Sequence, residues 1–158
     1  MADYETVITV PRPIDETFAF ISSFHNAARW DPRTYESTMA TDGPVRVGTR
    51  FILRGGALKA STVRRLRIPL ALASMRLPYD ITELDAPNHF VLEGENAIYR
   101  YDDRISFATD GDHTQVTYAA TLHLKGPLRI FDRVLQRNFT RIGDDATAGI
   151  ADAVVAGT

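Results

Sequence analysis

Hydrophobic and polar positions alternate with a period of two over 98–108 and 114–124, and the period changes near residue 126. "TVITV" (6–10) is a β-branched run closed by Pro11 and Pro13, which predicts a strand. "IDETFAFISSF" (14–24) follows Pro13. Its Asp15 and Glu16 suit the positive end of a helix, and Ile14, Phe18, Phe20, Ile21 and Phe24 recur at helical spacing. "NAARW" (26–30) predicts a second short helix, because Pro32 pushes Asp31 out of the helical region. Residues 35–54 predict two strands broken at "TDGPVRVG", then "LPYDITEL" (77–84), "HFVLEG" (89–94), "IYRYDDRISFA" (98–108) and "TQVTYAATLHL" (114–124) each predict one. "DAPN" (85–88) and "DGDH" (110–113) are turns.

From Gly126 onward Leu128, Phe131, Val134, Leu135, Phe139, Ile142, Ala146, Ile150 and Val154 mark one face of a helix of about seven turns. Strands in hairpin succession imply an antiparallel sheet, and a one-sided sheet needs a cover, for which this helix is the candidate. Residues 55–76 fit helix or strand. The apolar "IPLALASM" (68–75) is bracketed by Arg64, Arg65, Arg67 and Arg76, a pattern that suits a membrane contact or a hairpin arm on a second copy. The arm is the preferred reading, and it leaves a homodimer open.

Alternation fixes which residues point inward. On 114–124 these are Val116, Tyr118, Ala120, Leu122 and Leu124. On 98–108 the phase set by Ile105 and Phe107 brings in Asp103, Tyr101 and Tyr99. Phe51 with Leu53, and Leu77 with Tyr79 and Ile81, share faces on their strands, while Phe131, Leu135, Phe139 and Ile142 turn the helix toward the sheet. Two tyrosines and an acid on an apolar face are not what a plain core selects. Asp103 either pairs with an arginine, sits at the sheet's wet rim, or acts as an interior acid with a raised pKa. Gly143, Ala146 and Gly149 carry so little side chain that the helix there either approaches the sheet closely or leaves a void.

A length of 158 residues fits one domain over 1–158, and 44% apolar residues suffice for a core. A net charge of −2 excludes bulk electrostatic attraction to nucleic acid. The chain has no cysteine, and its N-terminal "MADYETV" does not read as a signal peptide, so a cytoplasmic location is expected. His25, His89, His113 and His123 are scattered, so neither a metal nor any cofactor is implied. Arg129, Arg133, Arg137 and Arg141 form an i, i+4 stripe, read as a solvated face or as a docking strip for an acidic partner.

"ITVPRPIDETFAFISSFHNAARWDP", "VGTRF", "YDITELDAPNHFVLEG", "GDHTQVTYAATLHLKGPLRIFD" and "RIGDDATAGI" together resemble the polyketide cyclase/dehydrase and lipid-transport branch of the START-like (Bet v 1-like, SRPBCC) superfamily. The resemblance covers nearly the whole chain except 55–70. It implies an α+β helix-grip fold: a curved antiparallel sheet of six or seven strands wrapped around a long C-terminal helix, with two short helices after the first strand. It also implies a hydrophobic cavity between sheet and helix, opening near the short helices, with Trp30 as wall, gate or plain packing.

The function expected first is binding or carrying a lipid or polyketide-like molecule, without stable membrane insertion. Its lining would be Trp30, Phe51, Leu53, Leu77, Tyr79, Tyr99, Tyr101, Asp103, Tyr118, Leu122, Phe131, Leu135 and Phe139. A cyclase or dehydratase in the same cavity is the alternative, with Asp103, Tyr99 and Tyr101 as candidate catalytic groups and Arg54 as a further donor. A protein-interaction or stress-response module is the third reading.

Overall fold

A computed structural model describes residues 1–157, apart from the side chains of Arg129, Asp132, Arg133 and Val134. Seven strands form one antiparallel sheet: β1 (Ala2–Val10), β2 (Thr34–Met39), β3 (Arg50–Gly55), β4 (Met75–Asp85), β5 (His89–Glu95), β6 (Tyr99–Asp110) and β7 (His113–Leu124). Their order is β1-β7-β6-β5-β4-β3-β2, so β2 to β7 pair as successive hairpins and β7 returns to β1. The connection from one edge strand to the other runs through α1 (Ile14–Ser22), a 3₁₀ turn (Phe24–Asn26) and α2 (Ala27–Trp30). This is the helix-grip arrangement, with a curved half-barrel closed by the C-terminal helical segment.

The inward phase follows the alternation. Phe51, Leu53, Ile81, Phe90, Leu92, Ile105, Phe107, Val116 and Tyr118 are buried together with Phe18, Phe20, Ile21, Phe24 and Trp30 from the short helices. Edge-to-face contacts tie the two layers together: Phe18 to Phe107 at 5.2 Å between centroids, Phe24 to Tyr79 at 5.3 Å, and Trp30 to Tyr118 at 6.2 Å.

Two expectations change. Residues 55–76 are not a hairpin arm. They form α3 (Ala60–Arg65) and α4 (Leu70–Ala73). Pro69 cannot donate to a strand ladder, which defeats the strand reading of the apolar run. α3 stops in a Schellman-type cap: Arg67 takes φ 52° and its N–H donates to the Arg64 carbonyl, while Ile68 N–H reaches the Val63 carbonyl at 3.0 Å. Val63 is the buried anchor of this segment.

The C-terminal helix is present but not continuous. A 3₁₀ turn (Gly126–Phe131) leads into α5 (Asp132–Thr147), and α6 (Ile150–Gly157) follows after a break at Ala148–Gly149. At the break, a β-carbon on Gly149 would lie 2.4 Å from the Trp30 carbonyl oxygen, and one on Gly143 would lie 2.6 Å from the Tyr4 ring. The small residues therefore mark close approach, not a void. Tyr4 completes that contact by donating to Asp144 at 3.0 Å and meeting the Thr147 hydroxyl at 3.0 Å.

Candidate functional site

α5 packs chiefly on β1 and β7, at one edge of the sheet. α1 packs on β6 and β7, the 3₁₀ turn Phe24–Asn26 on β2 and β3, and α2 on β2. Toward the end where β6 begins and β7 finishes, burial falls off along β4, β6 and β7, while Gly55 of β3 and Ala2 of β1 stay buried there. On β6, Ile105 is fully buried, Asp103 and Tyr101 nearly so, and Tyr99 only half. On β7, Val116 and Tyr118 are buried, while Leu122 and Leu124 are half-buried. β3 and β4 add buried Phe51 and Leu53 and half-buried Leu77 and Tyr79, and α5 adds half-buried Leu135 and Phe139. The inward face between sheet and helix thus has a buried aromatic floor and, beyond it, a band of half-buried apolar side chains.

Asp103 sits in that floor, only 6% exposed, opposite Leu92 on one side and Ala120 on the other. The Tyr118 hydroxyl donates to it at 2.9 Å, and the Tyr79 hydroxyl is a second donor. Burial is the main cause that pushes the Asp103 carboxyl up to about 7, with the nearby Asp102 and Asp31 charges adding to it and the tyrosine hydrogen bonds opposing it. The same burial, with the Asp103 charge beside them, drives the Tyr79, Tyr101 and Tyr118 phenols up, so all three remain protonated donors. Tyr101 spans β5: its ring occupies the space left by Gly94, where a β-carbon would lie 2.4 Å away, and its hydroxyl donates to the Pro78 carbonyl at 2.7 Å. The Tyr79 and Tyr101 rings meet at 4.6 Å.

The expected lining residues divide by depth. Trp30, Phe51, Leu53, Tyr101, Asp103 and Tyr118 are buried, and Leu77, Tyr79, Tyr99, Leu122, Leu135 and Phe139 are half-buried. Phe131 does not face the sheet. It lies in the 3₁₀ turn before α5 and is 53% exposed, because three residues per turn shift the phase that an α-helix extended from 127 would give it. Arg54 points outward, 3.9 Å from Glu36, and is not near Asp103. Arg137 and Arg141 are exposed, as a solvated stripe requires, and the side chains of Arg129 and Arg133 lie outside the described residues.

Sequence reasoning missed Asp31. Its carboxyl accepts from Thr34 Oγ1 at 2.6 Å and from the Arg33 amide at 2.9 Å, and burial, the dominant cause, raises its pKa. The spacing of Asp31 to Thr34 after a helix end is the signal that points to such a turn. Trp30 beside it keeps its indole Nε1 buried with no partner among the described residues.

A second depression lies on the opposite face of the sheet, lined by charged side chains such as Arg50, Asp80, Glu93, Arg100 and Arg104. Arg50 and Asp80 already close on each other there through two hydrogen bonds of 2.7 and 2.6 Å. That face does not suit an apolar ligand. Among the described residues, no group of three His, Cys, Asp or Glu side chains is placed to hold a metal ion, and no helix is long and apolar enough to cross a membrane.

A model of the family described as polyketide cyclase / dehydrase and lipid transport matches residues 1–155. Three solved structures show the same fold at low identity. A START superfamily protein from Mycobacterium smegmatis aligns over 100% of both chains, with 10% identity and a TM-score of 0.76. A protein of Thermus thermophilus covers 99% of both at 13% identity and 0.75. The Zhui aromatase/cyclase from Streptomyces sp. R1128 covers 98% of this chain and 91% of its own at 12% identity and 0.70. No curated protein matches the chain by sequence.

Proposed function

Because the chain belongs to the polyketide cyclase / dehydrase and lipid transport family, we propose that it binds or carries a hydrophobic small molecule in the groove between the sheet and α5. The observation that supports this reading is the gradient of burial along the inward face. Leu77, Tyr99, Leu122, Leu124 and Leu135 are half-buried and keep part of their surface in water, beyond a buried aromatic floor. Side chains of this type are normally covered, and a ligand that fills the groove removes them from water at roughly 25 cal/mol per Å² of apolar surface. The polar groups of the floor would orient such a ligand. Tyr79 offers a hydroxyl, and the Asp103 carboxyl, with its pKa near 7, takes or gives a hydrogen bond according to pH.

Titration with the apolar fluorophore 1-anilinonaphthalene-8-sulfonate, followed by competition with fatty acids and polycyclic aromatic phenols, tests the reading. A saturable site weakened at least tenfold by Leu122→Asp, in a variant that keeps its circular dichroism spectrum, is the expected result. Absence of saturable binding would defeat it.

A second reading, a cyclase or dehydratase, is favoured specifically by Asp103. A buried carboxyl poised near neutrality beside two phenol donors has the properties of a general acid–base group next to donors for an enolate oxygen. Tyr99 and Tyr101, from the same strand face, complete the candidate set, although Tyr101 spends its hydroxyl on Pro78. Asp103→Asn separates the readings: a carrier retains its ligand affinity and has no turnover to lose, while an enzyme retains affinity and loses turnover of a polyketide-like substrate. A cysteine-free chain is also compatible with action in a reducing, cytoplasmic setting.

A further inference from the structure

The strand ends that open the groove carry an exposed apolar rim. β3 ends and β4 begins here, joined by α3 and α4; β5 ends and β6 begins here, joined at Ile98; and β7 ends here, leading into the 3₁₀ turn. Around this rim Leu72 is 82% exposed, Ile130 79% and Leu66 58%, with Leu70, Ile98 and Leu128 near 40%. α4 is made of "LALA" and buries none of its side chains. Lys125 donates to the Asn96 carbonyl at 2.7 Å and the Asn96 amide reaches Met75 Sδ at 3.8 Å, which ties the end of β7, the β5–β6 turn and the start of β4 together.

Charge on this rim is one-sided. The stretch from 57 to 76 holds Lys59, Arg64, Arg65, Arg67 and Arg76 and no acidic residue, in a chain whose net charge is −2. Lys59 is committed to Asp145 at 2.7 Å. Arg64, Arg65 and Arg67 are exposed and have no carboxylate at ion-pairing distance among the described residues. Glu95, an acid at this end of the sheet, is neutralised by Lys125 at 3.0 Å and Arg100 at 3.5 Å, which also hold its pKa down.

We infer that this rim docks on the surface of an anionic lipid bilayer. Apolar side chains that nothing in the chain covers, interleaved with unpaired guanidinium groups, match an interface in which the leucines enter the headgroup region and the arginines meet phosphate. A symmetric pairing of two copies through the same rim would set Arg64, Arg65 and Arg67 of one against those of the other, so like charges argue against a self-interface. The docking is peripheral and requires no spanning segment. It would also set the mouth of the groove against the source of an apolar ligand. The vesicle test below needs no ligand uptake, so its failure is distinguishable from failure of the carrier reading.

The test is co-sedimentation of the full chain with vesicles of phosphatidylcholine alone and of phosphatidylcholine with 30% phosphatidylglycerol. Leu72→Ser with Ile130→Ser is one variant, and Arg64→Gln with Arg65→Gln and Arg67→Gln is the other. All five positions are exposed, so both variants should fold, which unchanged thermal melts would verify. Expected is binding that requires the anionic lipid and falls at least tenfold in each variant and in 0.5 M salt. Binding to neither vesicle overturns the inference, as does binding that both variants leave intact. A concentration-dependent dimer abolished by the leucine variant would assign the rim to a second copy and overturn it equally.

Discussion

Asp103 is a buried carboxyl whose protonation near neutral pH differs from that in the unfolded chain. Its folded pKa near 7 lies above the ordinary carboxylate value, so the folded state holds a proton that the unfolded chain gives up first. The stability linked to it is complete below about pH 4 and is lost as pH rises toward 7. A shift of that size corresponds to about 4 kcal/mol at its limit. Urea midpoints of the parent and of Asp103→Asn are therefore expected to agree near pH 4 and to diverge up to pH 8, where the variant is the more stable. Parallel profiles across that range would remove the raised pKa. Gly143 offers a second residue-scale prediction. Alanine there gains roughly 1 kcal/mol of helix propensity but drives its methyl into the Tyr4 ring, which Asp144 and Thr147 hold in place. Overpacking of this kind costs about 1–3 kcal/mol, so a net loss of stability in urea unfolding is expected. Asp103 and its inward neighbours were legible from β6 alternation alone. Asp31 was not, because its environment is made by α2, β2 and the helix break, which no single periodic run encodes.

At the scale of elements, Asp145 on α5 is a clamp. It meets Arg33 Nη2 at 2.7 Å and Lys59 Nζ at 2.7 Å, and Arg33 also donates to the Ala57 carbonyl at 2.6 Å. The start of the 56–74 excursion is thereby fixed to α5. The Lys59 hydrogen bond, helped by both positive charges, holds the Asp145 carboxyl below its ordinary value, so the clamp is intact at neutral pH and releases as the pH drops below the usual carboxylate range. Asp145→Asn should loosen the excursion locally. Trypsin cleavage after Arg64 or Arg65 is expected to quicken several-fold, with a fall of only about 1 kcal/mol in global stability. An unchanged cleavage rate would show that buried Val63 and the hydrogen bonds from Tyr35 to the Leu58 carbonyl and from Ala60 to the Pro32 carbonyl suffice to anchor the segment. Strands with clean alternation were legible to within two or three residues, since one face of each is buried and the other wet. The 55–76 segment was not, because its leucines face outward and thus carry no periodic signal of burial. The helix break at Ala148–Gly149 was hidden for the opposite reason: Ala146, Ile150 and Val154 keep the helical phase across it.

The whole molecule combines a closed aromatic end with an open apolar one. Short helices and strand middles fill the first, and the second is bounded by half-buried Leu77, Tyr99, Leu122 and Leu135 beneath an exposed rim. Hairpin succession and the late change of period were enough to read a sheet gripping a helix. The taper of burial along β4, β6 and β7 was not in the residue types, because it depends on where α5 rests, which is chiefly on β1 and β7. Native mass spectrometry of the protein, purified without detergent and then offered a ladder of fatty acids and polycyclic phenols, tests occupancy of that groove most directly. The account predicts a one-to-one apolar adduct, either carried through purification or acquired on addition, and its loss in Leu122→Asp. A protein that stays empty throughout, or an adduct that Leu122→Asp retains, would contradict it.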